Sequence, residues 1–258
     1  MRNTEMFSLE GKVAVAVGAG GVLAGAIATG FAGAGADVAI VDVNADAARA
    51  RAGCIRQLGR RAIAVQADAT SKADLTRALD ATLGELGRVD VLLNAAGINS
   101  GTPFFDITEQ EWQRILDVNL KSVFLACQVF GKVMVDSGEG GSIINISSAS
   151  SGPPLSKVFT YGVTKAGVNQ ITMFLAREFA PHRVRVNAIL PGFFPAEQNR
   201  KLLTEERVAS IMKHTPMNRF GESCELVGAA VYLASEKASS FVTGSVLRVD
   251  GGFLAMTI

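Results

Sequence analysis

The chain has 258 residues, with 25 Lys and Arg against 24 Asp and Glu, a net charge of +1, and 48% hydrophobic against 19% charged residues. That length fits one large domain or two small ones burying about 70–75% of the unfolded chain's surface, and this composition excludes disorder. A near-neutral chain offers no basic face for phosphate neutralisation, which excludes a nucleic-acid partner.

The first notable stretch is a run of 24 uncharged residues, Val13 to Ala36. It is long enough to cross a bilayer and contains the small-residue spacing Gly21-x-x-x-Gly25. Yet 16 of the 24 are Gly or Ala, so few large apolar side chains offset the cost of insertion, and no membrane span is expected. Arg2, Glu5 and Glu10 interrupt the N-terminus without an apolar core of signal-peptide length, so the expected location is cytoplasmic. Cys54, Cys127 and Cys224 show no Cys-x-x-Cys spacing; an odd count fits a reducing compartment, with each cysteine a small buried hydrophobe. His182 and His214 have no metal-ligand spacing, so no metal site is expected.

Runs rich in Val, Ile and Leu follow in chain order at 13–17, 38–41, 62–66, 89–93, 142–146, 185–189 and 245–249. Each is nearly continuous in apolar residues, as expected of strands covered on both faces. Between them lie segments of helical length at 44–58, 71–86, 109–135, 161–179 and 223–234. This alternation predicts an α/β fold, a single-domain doubly wound parallel sheet of about seven strands of Rossmann type, spanning residues 1–258. Arg49, Arg51, Arg56, Arg60 and Arg61 are expected on the solvated face and exit of the second helix. The segment from about 191 to 215 breaks the rhythm with Pro191, Gly192 and Pro195, where a substrate loop or lid is expected.

The first strand runs into Gly18-Ala19-Gly20-Gly21-Val22-Leu23-Ala24-Gly25. Glycines there let the backbone turn tightly against a pyrophosphate, whose charge is stabilised by free N–H groups at the next helix's N-terminus. Asp42 lies 24 residues beyond Gly18, after the second apolar run. Its carboxylate suits the ribose hydroxyls and repels a 2′-phosphate, and neither Val43 nor Asn44 supplies a cation, so NAD(H) is favoured over NADP(H). Tyr161 and Lys165 stand at i and i+4, on one helix face. A neighbouring ammonium favours the phenolate, which makes Tyr161 a candidate acid and base for a carbinol proton.

Taken together, Gly18 to Ala24, Asp68, Asn94-Ala95-Ala96-Gly97, Asn119, Ser147-Ser148, Tyr161-x-x-x-Lys165, Pro191-Gly192 and Val249-Asp250-Gly251-Gly252 resemble the short-chain dehydrogenase/reductase family in order and spacing. The resemblance runs from about Leu9 to Gly252. It implies that Ser148, Tyr161, Lys165 and Asn119 form the catalytic set, Ser148 bonding the substrate oxygen and Asn119 holding a proton-relay water. It also implies a cofactor set of Gly18, Gly20, Gly21, Val22 and Leu23 at the phosphates, Asp42 and Val43 at the ribose, and Asp68 and Ala69 at the adenine. Asn94, Ala95, Ala96 and Gly97 would line the cleft, with Tyr161, Lys165, Pro191, Gly192, Phe194 and Ala196 near the nicotinamide. A homotetramer built from helices at about 109–135 and 157–179 is implied too.

The sequence departs from the family at two places. Val22 occupies a position normally held by Gly, so a left-handed turn is expected to shift to Gly20 or Gly21, while Ala24 stays small enough for close packing. Ala196 replaces a Thr that bonds the nicotinamide carboxamide, leaving a backbone group such as that of Phe194. The segments 191–200, 214–220 and 237–241 resemble those of sugar-acid enzymes of the mannonate oxidoreductase or fructuronate reductase type. On that basis Arg200, Lys201 or His214 would meet a carboxylate and Gln198 and Asn199 hydroxyls, with Asn99, Asn169 and Ser150 as further substrate candidates. The expected function is a NAD-dependent alcohol–ketone oxidoreductase on a polar polyhydroxy substrate. The alternatives are a 3-oxoacyl carrier-protein reductase and a nucleotide-sensing protein without turnover.

Overall fold

The computed structural model describes residues 3–195 and 204–256. The seven apolar runs form seven parallel strands: β1 Val13–Val17, β2 Asp37–Asp42, β3 Ala62–Gln66, β4 Val91–Asn94, β5 Gly141–Ile146, β6 Val184–Pro191 and β7 Val246–Val249. They make one sheet in the order β3-β2-β1-β4-β5-β6-β7, the doubly wound pattern expected from the sequence. Asp42 and Asn94 are the last residues of their strands, where the sequence placed them just beyond.

The principal helices are α1 Val22–Gly33, α2 Ala45–Gln57, α3 Lys72–Leu86, α4 Glu109–Ser137, α5 Phe159–Phe179, α6 Glu205–Lys213 and α7 Val227–Ala234. Several of their starts are capped by side chains that accept from the free N–H groups of the first turn, Asn44 for α2, Ser71 for α3, Thr108 for α4 and Thr204 for α6. Consecutive strand residues point to opposite faces, so β1 sends Ala14 and Ala16 to one core and Val13, Val15 and Val17 to the other. The first core takes Ile27 and Phe31 from α1, Ile55 from α2 and Leu233 from α7. The second takes Leu75 from α3, Phe130 and Met134 from α4, and Val168 from α5. Each such fully buried side chain contributes about 1.5–3 kcal/mol, which is why continuous apolar runs rather than alternating ones specify these strands.

The uncharged run Val13 to Ala36 is thereby divided into β1, a turn and α1, and lies inside the fold. Its small residues let helices approach closely: a methyl at Gly30 would stand 2.3 Å from Val227 Cγ1 on α7. Among the described residues one helix, α4, is long and apolar enough to cross a membrane, and 56% of its most apolar window is buried within the fold. Its middle, Asp117–Lys121, is π-helical.

One expectation fails here for two cysteines, and a second holds only in part, since Arg49, Arg56 and Arg61 are exposed while Arg51 and Arg60 are half-buried. Cys127 is buried, but Cys54 and Cys224 are exposed, because they lie on the outer faces of their helical segments rather than toward the sheet. The arginine cluster is not simply solvated. Arg60 pairs with Glu10 and Asp37, Arg61 with Asp37 and Arg49 with Asp46, while Arg51 packs against Gly25 of α1.

Candidate active site

The chain reverses direction across the sheet between β1 and β4, which opens a crevice at the carboxyl ends of these strands. β1 ends in Gly18, whose φ of +77° is the left-handed conformation open to glycine. The left-handed residue is therefore Gly18, and not Gly20 or Gly21 as the sequence suggested; Gly21 caps α1 at φ −72°. Close packing excludes a side chain there as well: a methyl at Gly18 would lie 2.5 Å from the Ala96 nitrogen. The turn thus rests directly on the Asn94 to Gly97 segment beyond β4. Gly21 by contrast has room for a methyl, which would meet only the Gly18 carbonyl at 3.9 Å, and Val22 is half-exposed beside Leu23 at the start of α1.

Asp42 fastens this turn to β2. One carboxylate oxygen accepts from the Gly20 N–H at 2.8 Å and the other from the Asn44 N–H at 2.9 Å. A methyl at Gly20 would press within 2.9 Å of that carboxylate, so glycine is required for the contact. Val43 next to it is exposed. Asp68 lies in the exposed turn after β3 and accepts from the Thr70 backbone N–H and hydroxyl, each at 2.8 Å, with Ala69 half-buried between them.

Four groups converge beyond β4 and β5. Tyr161 and Lys165 share one face of α5, with the Lys165 Nζ 5.5 Å from the Tyr161 ring centre. Lys165 is buried and its Nζ donates to the Ile146 carbonyl at 2.7 Å, at the end of β5. Burial, with no carboxylate partner among the described residues, brings its ammonium pKa down to about 8. Burial pushes the Tyr161 hydroxyl above its ordinary value, against which the facing Ser148 side chain pulls it down. Ser148 leads the single 3-10 turn Ala149–Ser151, and Ser147 beside it is buried against the Lys165 carbonyl at 3.4 Å.

Asn119 sits in the π-helical part of α4 and is fully buried. Its amide accepts from the Ile98 N–H at 2.8 Å and donates to the Ile98 carbonyl at 2.9 Å and the Thr164 hydroxyl at 3.2 Å. Gly97 lies between them: its missing side chain leaves a gap 3.6 Å from Asn119 Oδ1 and 3.7 Å from Lys165 Nζ. Below, a buried chain runs from Asn94 to Asn145 and on to Thr172 of α5, each step 2.9 Å. Thr164, Asn145 and Thr172 escaped the sequence reading. A hydroxyl three residues after Tyr161, which bonds back to the Tyr161 carbonyl at 2.7 Å, was the available signal for the first.

Of the remaining expected residues, Pro191 closes β6, Gly192 packs against Asp250, and Phe194 is buried with its ring against Gly221. Ala196, Gln198, Asn199, Arg200 and Lys201 lie outside the described residues. His214, at the end of α6, is exposed and its Nδ1 is 3.0 Å from the Ser210 carbonyl. Asn99 accepts from the Ser100 N–H, and Asn169 donates to the Ser151 hydroxyl at 2.9 Å.

Known proteins match this arrangement over almost the whole chain. A family model described as enoyl-(acyl carrier protein) reductase matches residues 18–254. A 2-dehydro-3-deoxy-D-gluconate 5-dehydrogenase of Escherichia coli (strain K12) is 37% identical over 250 residues, 96% of this chain and 98% of that one. A gluconate 5-dehydrogenase from Burkholderia cenocepacia J2315, solved with NADP and tartrate, is 33% identical with a TM-score of 0.94, over 98% of this chain and 99% of that one. A candidate D-mannonate oxidoreductase from Haemophilus influenza, solved with NAD, is 35% identical with a TM-score of 0.91, over 97% of each chain. The protein belongs to the short-chain dehydrogenase/reductase family, oxidoreductases acting on CH–OH groups.

Proposed function

We propose that the protein interconverts a secondary alcohol and a ketone on a sugar acid or similar polyhydroxy compound, with NAD(H) as hydride carrier. The observation that carries this reading is the meeting of Ser148, Tyr161 and Lys165 beside a glycine turn fastened by Asp42. The residues fit a dinucleotide. Gly18 leaves no room for a side chain against Ala96, Gly21 is exposed at a helix N-terminus with no side-chain cap, and a carboxylate closes β2. Bound there, the nicotinamide supplies or accepts the hydride.

The chain's own residues handle the proton. The Ser148 hydroxyl orients the substrate oxygen where negative charge develops. Tyr161 takes the carbinol proton at its phenolic oxygen in oxidation and returns it in reduction. Lys165, as the ammonium, favours the phenolate; the Ile146 carbonyl holds it in place and Asn119 holds Ile98 and the cleft wall. Residues from about 191 to 215 are assigned to substrate binding, with His214 proposed to meet a carboxylate; Arg200, Gln198 and Asn199, proposed for the carboxylate and hydroxyls, lie outside the described residues.

The Asp42 charge supports NAD(H), since Val43 and Asn44 leave a 2′-phosphate without a counter-ion. The sugar-acid substrate rests on the names of the relatives. A carrier-protein reductase is the second reading, favoured by the description of the matching family model. Against it, three of the five arginines of the 49–61 cluster, Arg49, Arg60 and Arg61, are paired with Asp46, Glu10 and Asp37, which weakens that cluster as a docking face for an acidic carrier. Assembly as a homotetramer through α4 and α5 accounts for the apolar side chains these helices leave exposed, Phe124, Val163, Met173 and Phe174.

The test is a panel of hexonates, hexuronates, neutral sugars, polyols and an acyl thioester, each with NAD(H) and NADP(H), for the parent and Tyr161→Phe. Turnover of hexonates or hexuronates with NAD(H), lost in Tyr161→Phe, is the expected result. Equal rates in the two proteins overturn the mechanism, and turnover confined to the thioester overturns the substrate class.

A further inference from the structure

Ser150 lies two residues past Ser148 in the turn Ala149–Ser151 and is 8% exposed. Its backbone N–H donates to the Ser148 hydroxyl oxygen at 3.2 Å, and its own hydroxyl donates to the same oxygen at 3.0 Å. A serine hydroxyl has two acceptor positions and one proton. With Ser150 occupying both acceptor positions, the proton is what Ser148 retains for a further partner. The group facing it is the Tyr161 hydroxyl.

We propose that Ser150 is a positioning residue that fixes Ser148 as a hydrogen-bond donor toward the Tyr161 oxygen and the substrate oxygen beside it. This rests on the reading that Ser148 and Tyr161 form the proton-handling pair. The donor direction matters because negative charge develops on both oxygens during the reaction, and a lone pair turned toward them would oppose it. The sequence suggested Ser150 as a substrate contact; the structure spends its hydroxyl on Ser148.

The turn is also clamped to the helix that carries Tyr161. The Ser151 hydroxyl accepts from the Asn169 amide at 2.9 Å, two turns along α5 from Tyr161. Gly162, next to Tyr161, comes so near the Ser150 carbonyl that a methyl there would stand 3.0 Å from it. Ser150 therefore meets Ser148 through its N–H and hydroxyl while its carbonyl rests on the first turn of α5. These contacts hold the Ser148-to-Tyr161 spacing.

The experiment needs no known substrate. Tyr161 and Tyr232 are the two tyrosines of the chain, so in a Tyr232→Phe background the phenolate absorbance reports Tyr161 alone. Alkaline titrations are compared for that parent, Ser150→Ala, Ser150→Thr, Ser148→Ala and the double variant Ser148→Ala/Ser150→Ala, with circular dichroism confirming the fold at each pH. Ser150→Ala is expected to raise the Tyr161 midpoint by about half a pH unit, the loss of part of one hydrogen bond to a charged group. Ser150→Thr, which keeps the hydroxyl, is expected to restore the parent midpoint. In the Ser148→Ala background the Ser150 substitution is expected to have no further effect, since its influence passes through Ser148. A parent-like midpoint in Ser150→Ala overturns the proposal, provided Ser148→Ala moves it. An equal shift with and without Ser148 overturns it too, and shows a purely structural role. An unmoved midpoint in Ser148→Ala overturns the Ser148–Tyr161 pairing itself and the proposal with it.

Discussion

The Asp42 carboxylate accepts a hydrogen bond from the Gly20 N–H at 2.8 Å, which joins the end of β2 to the glycine turn after β1. The carboxylate is thus part of the turn's own architecture before any ribose reaches it. Asp42→Ala removes that bond and the one from Asn44. The variant is expected to lose about 1–2 kcal/mol of stability without any cofactor present, and to bind NAD⁺ roughly tenfold more weakly. Thermal unfolding without ligand separates the two effects: an unchanged midpoint alongside weakened binding would mean that Asp42 serves the ribose alone.

Gly18 and Gly21 are expected to respond oppositely to the same substitution. Gly18→Ala places a methyl 2.5 Å from the Ala96 nitrogen at a positive φ, and at least about 2 kcal/mol of stability should be lost. Gly21→Ala meets only the Gly18 carbonyl, at an ordinary contact distance of 3.9 Å and an ordinary φ, so the fold should hold within about 0.5 kcal/mol while NAD⁺ binding weakens. Denaturant midpoints for the two variants check the contrast, and equal losses would refute it.

Lys165 carries a folded-state pKa of about 8 against its ordinary 10.5, so the unfolded chain binds the proton more tightly. Stability then rises with pH between about 8 and 10.5, and the penalty is fully present below 8. Lys165→Met should abolish turnover yet stabilise the protein at pH 7, by on the order of 1–2 kcal/mol after losing the Ile146 bond. That advantage should shrink as pH climbs through the window. A stability difference independent of pH between 7 and 10 would contradict the assignment.

Phe174 on α5 is 65% exposed, one of several large apolar side chains that α4 and α5 leave exposed. If α5 meets a second copy, Phe174→Glu places a charge in that interface. Sedimentation should then show smaller species than the parent at equal concentration, with secondary structure intact. A parent that already sediments as a monomer removes the basis for the proposed assembly.

The sheet was legible because strands covered on both faces demand continuous apolar residues, and β1 and β3 fall where their Val and Ala runs place them. Tyr161 and Lys165 were legible because i and i+4 spacing fixes a shared helix face whatever the surroundings. What escaped depended on contacts distant in sequence. At Gly18 a positive φ coincides with the close approach of Ala96, nearly 80 residues away, and no local propensity encodes that approach. Cys54 and Cys224 were misjudged because a small apolar side chain has little influence on which helix face turns inward. The Asn145–Thr172 link joins a strand to a helix across 27 residues, each of whose side chains has ordinary alternatives nearer by.

The π-helical segment Asp117–Lys121 has a consequence for the whole of α4. A single added residue in a helix turns everything beyond it by about 100° relative to what precedes it. Here that rotation falls at Asn119, between Glu109–Leu116 and the apolar stretch Ser122–Ser137. The segment acts as a phase adjuster, letting one helix point an amide into the cleft while its later turns present Phe130 and Met134 to the sheet and Phe124 outward. Deleting one residue from 117–121 would restore a regular helix and force a choice between those two orientations. Insertions and deletions in this stretch should therefore be far less tolerated than substitutions of its exposed side chains.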